Sequence, residues 1–156
     1  MAKKIFTLCV PVVADRVLLG HKKQGDLGQG LINAFGGKVK EGETIEDAAA
    51  RELEEEVKVI AVTLDHRGVL EFTFANEDLI VEMHIFIVPA FTGEPQESNE
   101  MRPEWFSLDV VPYSQMWPAD QHWLPLVLEG KKIRGQFHYN NRADRELLRH
   151  TIEVVT

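Results

Sequence analysis

Glu52, Glu55 and Glu56 stand at i, i+3 and i+4, and a further acid, Glu43, precedes them with Arg51 between. At helical spacing the three glutamates project from one side of a helix. Like charges placed this way repel and destabilise a bare helix, and a bound cation reverses the sign. Carboxylates and loop carbonyls are hard oxygen donors, which suit Mg2+ or Mn2+ better than zinc. A glutamate run is ordinarily a solvated helix face, here with Glu54–Lys58 and Asp47–Arg51 as i,i+4 pairs. What distinguishes this run is the loop before it. Gly36-Gly37 and Gly42 mark backbone that can turn with positive φ or approach a ligand closely.

The element that must present these acids is legible. Thr44, with Asp47 three residues on, resembles a capping box at a helix start. Ile45, Ala49, Leu53 and Val57 then recur every four residues as an apolar stripe, and the glutamates lie off it. Lys4–Val13 reads as a β-rich strand, with Pro11 expected to interrupt its ladder or mark an edge. Arg16–His21 reads as a second strand and Gln24–Gly30 as a polar loop. Leu31–Phe35 leads into the glycine loop. Ala61–Phe74 and Leu79–Phe91 read as long strands about a turn at Asn76–Asp78. Trp105-Phe106 falls in a short strand. Pro118 and Asp120 open a second helix, Gln121–Leu128, which stops near Gly130. Ile133–Tyr139 and Thr151–Val155 close the chain as strands. The pattern is mixed α and β.

At 156 residues the chain is expected to form one domain, 1–156, with a real core. Its net charge of −8 argues against binding a nucleic-acid polymer or a membrane, since both call for basic patches. It does not exclude nucleotides, whose phosphates a metal can neutralise locally. The single cysteine, Cys9, permits no intrachain disulfide and reads as a small core residue. Ile5–Val13 is too short to span a bilayer and contains Thr7 and Pro11. A cytoplasmic, monomeric protein is the expectation.

The segment from Gly37 through Glu43, Arg51-Glu52-Leu53, Glu55-Glu56 and Val59 resembles the Nudix box, G-x5-E-x7-R-E-U-x-E-E-x-G-U, with U a bulky aliphatic residue. Only the second glycine is missing, replaced by Lys58. The resemblance implies a Nudix α/β/α sandwich with a mixed β-sheet and two main helices. It also implies divalent-metal hydrolysis of a nucleoside diphosphate linked to another group. Metal ligands would come from Glu52, Glu55, Glu56, Glu100 and the Gly36 or Gly37 carbonyl. Arg51 would pair with a box carboxylate such as Glu43 and brace the loop against the helix. Lys58 should cost roughly 1 kcal/mol of backbone strain where the motif favours a left-handed glycine, unless the helix ends differently.

Beyond the box, Phe35-Gly-Gly-Lys38, Glu100-Met-Arg-Pro103, Trp105-Phe106 and Met116-Trp-Pro118 with Asp120 resemble the family's oxidised-purine nucleoside triphosphatases. That likeness implies a purine pocket of Thr7, Asn33, Phe72, Phe74, Met101, Trp117 and Asp120. It brings Phe35, Gly36, Gly37 and Lys38 along the substrate and Lys22 near its phosphates. The chemistry is coherent: Trp117 and Phe72 can stack on a base, worth roughly 1–3 kcal/mol. Asn33 offers both donors and acceptors to a base edge. Phe72, Phe74 and Met101 also suit a core, Asp120 a helix cap and Trp117 a hydrophobic staple. His84 reads as core.

Two departures bear on the pocket. The family turn Trp-Pro-Asp-Asp is Trp117-Pro118-Ala119-Asp120 here, and the family tryptophan near Asn33 is Ile32, after a loop one residue longer. Adjacent carboxylates drive one of the pair to hold a proton. Without its neighbour, Asp120 is expected to be ionised at neutral pH and to accept from a donor–donor edge such as guanine N1–H and N2–H2. The implied reaction is a purine nucleoside triphosphate such as 8-oxo-dGTP plus water giving the monophosphate and pyrophosphate. By analogy with MutT the water attacks the β-phosphorus, with Glu56 or Glu100 as general base and Glu52 and Arg51 in support. Rival readings are hydrolysis of ADP-ribose or a dinucleoside polyphosphate by the same metal site, or a non-catalytic nucleotide-binding domain. All three box glutamates are present, which weighs against the last.

Overall fold

Central strands buried on both faces, as at residues 9–11 and 17–20, build the frame of this computed structural model, which describes residues 1–24 and 28–156. The middle of the expected Gln24–Gly30 loop lies outside the described residues. β1 (Ala2–Val13) runs parallel to β5 (Leu79–Thr92), from Ala2 opposite Leu79 to Pro11 opposite Val88. β4 (Ile60–Phe74) is antiparallel to β5 and parallel to β7 (Lys132–Tyr139). β8 (Leu147–Val155) is antiparallel to β7. β2 (Arg16–Lys22) pairs antiparallel with β1, with β3 (Ile32–Asn33) and with β6 (Met101–Ser107). The order is β3-β2-β1-β5-β4-β7-β8, with β6 on β2, so the sheet is mixed.

Neighbouring residues on one strand face opposite sides of the sheet. Cys9, Leu18 and Phe86 join one core cluster, which includes Ala49, Leu53 and Val57 of α1 (Ile45–Val57). Val10, Leu19 and Ile85 join the other, which includes Trp123, Leu124 and Val127 of α2 (Asp120–Leu128). The two helices therefore cover opposite faces. α2 contains Pro125, which the sequence reading passed over; its missing N–H leaves the Gln121 carbonyl without its usual partner. No helix is long and apolar enough to cross a membrane among the described residues.

One expectation comes out differently and another holds. Pro11 does not end β1 or put it at an edge. The N–H groups of Thr7 and Cys9 point away from β5, to Gly37 O and Phe35 O. Pro11, two residues further, has its nitrogen on that same side, and the pairing with β2 begins only at Val12. Its missing donor is therefore not missed. Lys58 does not divert the helix end. It adopts the left-handed conformation (φ 65, ψ 25), and its N–H donates to Glu54 O at 2.9 Å. The helix closes as a glycine would close it, with the strain of about 1 kcal/mol retained.

Candidate functional site

Helix α1 begins where Thr44 accepts from the N–H of Asp47 at 3.0 Å, and that cap sets the register of every acid after it. Leu53 and Val57 turn inward and are fully buried. Arg51, on the loop side, gathers the acids. Its Nε and Nη2 donate to the two oxygens of Glu43 at 2.6 and 2.9 Å. Its Nη1 donates to Glu52 at 2.8 Å and, more weakly, to Glu55 at 3.4 Å, while Nη2 also reaches the Lys38 carbonyl at 3.2 Å. The forked contact holds the Glu43 carboxyl down to about 2, helped by the N–H of Lys40. One guanidinium thus ties the loop to the helix.

The glycine loop packs between α1 and β1. The N–H of Gly36 donates to Glu56 Oε1 at 2.7 Å, and Gly37 O accepts from Thr7 N at 2.9 Å. A Cβ on Gly37 would lie 2.4 Å from Glu52 Cδ. On Gly36 it would lie 1.7 Å from Thr7 O, a wall of backbone that cannot give way. Gly36→Ala is therefore expected to destabilise the fold by about 1–3 kcal/mol and to displace Glu56. Thermal unfolding and substrate hydrolysis, measured together, check this. An alanine variant with wild-type Tm and activity would show that the loop has room to shift.

Glu56 is 2% exposed. Burial pushes its carboxyl up to about 8; Lys22 and the Gly36 N–H oppose the rise, and the charges of Glu52 and Glu100 add to it. Glu55 points to solvent, and Glu100 lies on an exposed segment before β6. Among the described residues, no three of these side chains close on one point as a finished cage does. That openness suits Mg2+, which usually takes one or two carboxylates and completes its shell with water and substrate phosphates. The donor set is all hard oxygen. Of the two glycine carbonyls, that of Gly37 is engaged by Thr7, whereas that of Gly36 makes no such backbone bond among the described residues. These residues fit a hard divalent cation.

Beside the acids, on the α2 face, lies a cavity of about 310 Å³. Gly36 and Gly37 line it, so the loop that meets Glu52 and Glu56 is also its wall. Of the other expected residues, Thr7, Lys22, Asn33, Phe72, Phe74, Trp117 and Asp120 line it too. Phe74 and Trp117 meet edge-on at 6.5 Å, and the Trp117 ring meets Tyr139 edge-on at 5.2 Å. Among the described residues Thr7 Oγ1 is buried without a hydrogen-bond partner. A hydroxyl left so in a cavity wall is a polar contact awaiting a ligand.

Phe35, Met101 and Lys38 are not brought to the cavity. Phe35 and Met101 are buried in the α1-side cluster, where both reach the space a side chain on Gly20 would take. Phe35 bridges Cys9, and both Phe35 and Met101 pack toward α1. Lys38 is exposed, and its carbonyl serves Arg51. His84 is also away from the cavity, bonded to His66 and Glu82.

The sequence reading missed the cavity floor, including Met83, Trp123 and Tyr139. Trp123 Nε1 donates to Asp120 Oδ1 at 2.9 Å, and Tyr139 OH accepts from Ala119 N at 2.9 Å. No local motif marks Tyr139, which reaches the turn from β7. The floor also corrects the expectation for Asp120. It is buried, and desolvation pushes its carboxyl up to about 7 against the opposing Trp123 bond. Losing the neighbouring acid therefore does not leave an ordinary carboxylate.

Comparison with known proteins agrees with this geometry. The NUDIX domain model matches residues 4–127. The oxidized purine nucleoside triphosphate hydrolase of Mus musculus is 45% identical over 139 residues, covering 89% of this chain and 88% of that protein. The protein of the same description from Danio rerio is 48% identical over 136 residues, covering 87% and 86%. The crystal structure of a mutator MutT protein from Bacillus halodurans superposes with a TM-score of 0.86 at 28% identity, covering 96% of this chain and 97% of that one. Because the domain match runs from β1 through the glycine loop and α1 into α2, this chain belongs to the NUDIX family.

Proposed function

We propose that the protein hydrolyses oxidised purine nucleoside triphosphates such as 8-oxo-dGTP to the monophosphate and pyrophosphate, with Mg2+, or Mn2+ in its place. One observation carries the reading. The aromatic cavity and the acidic face of α1 share a wall, Gly36-Gly37, so a base in the cavity sends its phosphates toward Glu52 and Glu56. The names of the relatives above support the substrate class. Family members generally use divalent metal ions. Here Glu52, Glu55, Glu56, Glu100 and the Gly36 carbonyl would hold one. When bound, such an ion supplies charge neutralisation at the phosphates and makes water more acidic.

The chain's own residues do the rest. Lys22, at the cavity edge and close enough to Glu56 to oppose its rise, supplies positive charge for the phosphates. Glu56 is held in place by the Gly36 N–H at the cavity wall and, once a bound cation keeps it ionised, is the better-placed base. Glu100 is the exposed alternative. Phe72, Phe74 and Trp117 enclose the base, Asn33 meets its edge, and the free Thr7 hydroxyl gives one more hydrogen bond.

Asp120 reads the base in two states. Protonated, it donates to an acceptor on an adenine-type edge; ionised, it accepts from the guanine-type N1–H and N2–H2 pair. The ratio of kcat/KM for 8-oxo-dGTP over 2-oxo-dATP should therefore rise with pH through about 7, by at most about tenfold per unit. Taking the ratio cancels the titration of the shared metal site. The panel should include dGTP, a methylated purine triphosphate and ADP-ribose. Activity confined to ADP-ribose would overturn the substrate, and a ratio flat in pH would overturn the role of Asp120.

A further inference from the structure

We infer that β8 is a self-complementary docking edge through which two copies of this chain pair as a two-fold dimer. The sheet has two very different ends. At one end β3 is only Ile32–Asn33, too short to template another strand, and β6, paired with β2 alone among the described residues, is interrupted by Pro103. β8 is nine residues long, Leu147–Val155, and ends the sheet on the far side of β7. It contains no proline or glycine, and its one register shift lies near its start, opposite His138/Tyr139. From Arg149 to Val155 the pairing with β7 is regular. A long regular edge presents a row of unpaired N–H and C=O groups, which natural proteins usually blunt with lysine, proline or a bulge. This one stays open over its regular stretch.

What selects the occupant is the order of residues along the edge. An antiparallel partner centred on Thr151 places Arg149 opposite Glu153 of the second copy, and Glu153 opposite its Arg149. The same register sets Leu148 against Val154, which are 46% and 50% exposed, and His150 against Ile152. Thr151 meets its own copy on the two-fold axis. Charge meets opposite charge, and exposed apolar residue meets exposed apolar residue, at both symmetry-related places. Shifting the centre by one residue in either direction breaks the match: Leu147 falls opposite Glu153, or Arg149 opposite Val155. Opposite-charge and apolar cross-strand pairs each contribute roughly 0.2–1 kcal/mol. Among the described residues Glu153 has only a 3.7 Å contact to Arg134, with both side chains about two-thirds exposed, so it can take a second cation. Such isologous pairing is what a closed dimer requires. An edge-only contact is smaller than the ~1,200–2,000 Å² of stable complexes, so the dimer should dissociate on dilution. A concentration-dependent pair thus replaces the monomer that chain length suggests.

The test is sedimentation across a dilution series of the full chain, with cross-linking to read the register. Mass should climb from one chain to two with concentration. Arg149→Glu should abolish the rise, and Arg149→Glu with Glu153→Arg should restore it. Opposed residues of an antiparallel ladder lie ~4.5–5.5 Å apart at Cα, within the ~4.4–6.8 Å that a disulfide spans. Thr151→Cys should therefore oxidise to a covalent dimer. Glu153→Cys should not, since it lies ~13 Å from its own copy along the strand. The native Cys9 does not interfere, because it is fully buried and its thiol is pushed up to about 12. A single-chain mass at every concentration, a dimer indifferent to Arg149→Glu, or cross-linking at 153 in place of 151 would each overturn the inference.

Discussion

Glu56→Gln is expected to cut pyrophosphate release by about 10²–10⁴-fold while leaving the fold standing. Glutamine keeps the oxygen that accepts from the Gly36 N–H at 2.7 Å, so the glycine loop keeps its anchor. It removes the charge needed to take a proton and to hold a cation. The stability profile of the metal-free protein separates this from unfolding. Burial raises the Glu56 carboxyl from 4.5 to about 8, so the folded state binds a proton that the unfolded state gives up earlier. That contribution is present in full below about pH 4.5 and lost as pH rises through 8. Wild-type stability should therefore fall between those values, and the glutamine variant should be flatter and more stable at the alkaline end. Denaturant unfolding at both ends, with single-turnover hydrolysis, is the measurement. Near-normal hydrolysis would move the base to Glu100, for which Glu100→Gln is the matching variant.

Arg51→Ala should lower activity by about 10–100-fold without touching substrate, the usual range when a group that orients metal ligands is lost. The arginine engages Glu43, Glu52 and Glu55 together, and its removal leaves those acids to repel one another. The stability loss has a defined pH signature. Because the Glu43 carboxyl is held down to about 2 in the fold, its contribution is present above about 4.5 and disappears as pH falls through 2. The gap in Tm between wild type and Arg51→Ala should be widest near neutrality and close in acid. Adding Mg2+ should narrow the neutral gap, since a cation relieves the same repulsion. A gap that persists unchanged into acid would place the importance of Arg51 elsewhere, in its bond to the Lys38 carbonyl.

Much of the site was legible because its signals are local. A cap at Thr44, a stripe of Ile45, Ala49, Leu53 and Val57, and acids at helical spacing all act within a few turns of chain. Helix α1 follows those signals to its last residue, and Lys58 takes the left-handed cap without moving it. The braced loop and the aromatic residues of the cavity came into view only through the family resemblance, since by type and spacing alone Phe72 and Phe74 suit a core and Trp117 a staple.

The chain alone therefore determined the mixed fold and the acidic helix face, since each is a repeating or adjacent pattern, while the arginine brace came with the family resemblance. The tertiary structure decided which wall each residue joins. Phe35 and Met101 have the chemistry of a base pocket, yet the fold turns them under α1. Tyr139 and Trp123 carry no motif, yet the fold brings them beneath Asp120 and sets its proton affinity by burial. Burial and facing direction are properties of contacts between distant segments. A carboxylate's pKa or an edge strand's freedom to pair depends on what stands beside it in space, which no local spacing encodes.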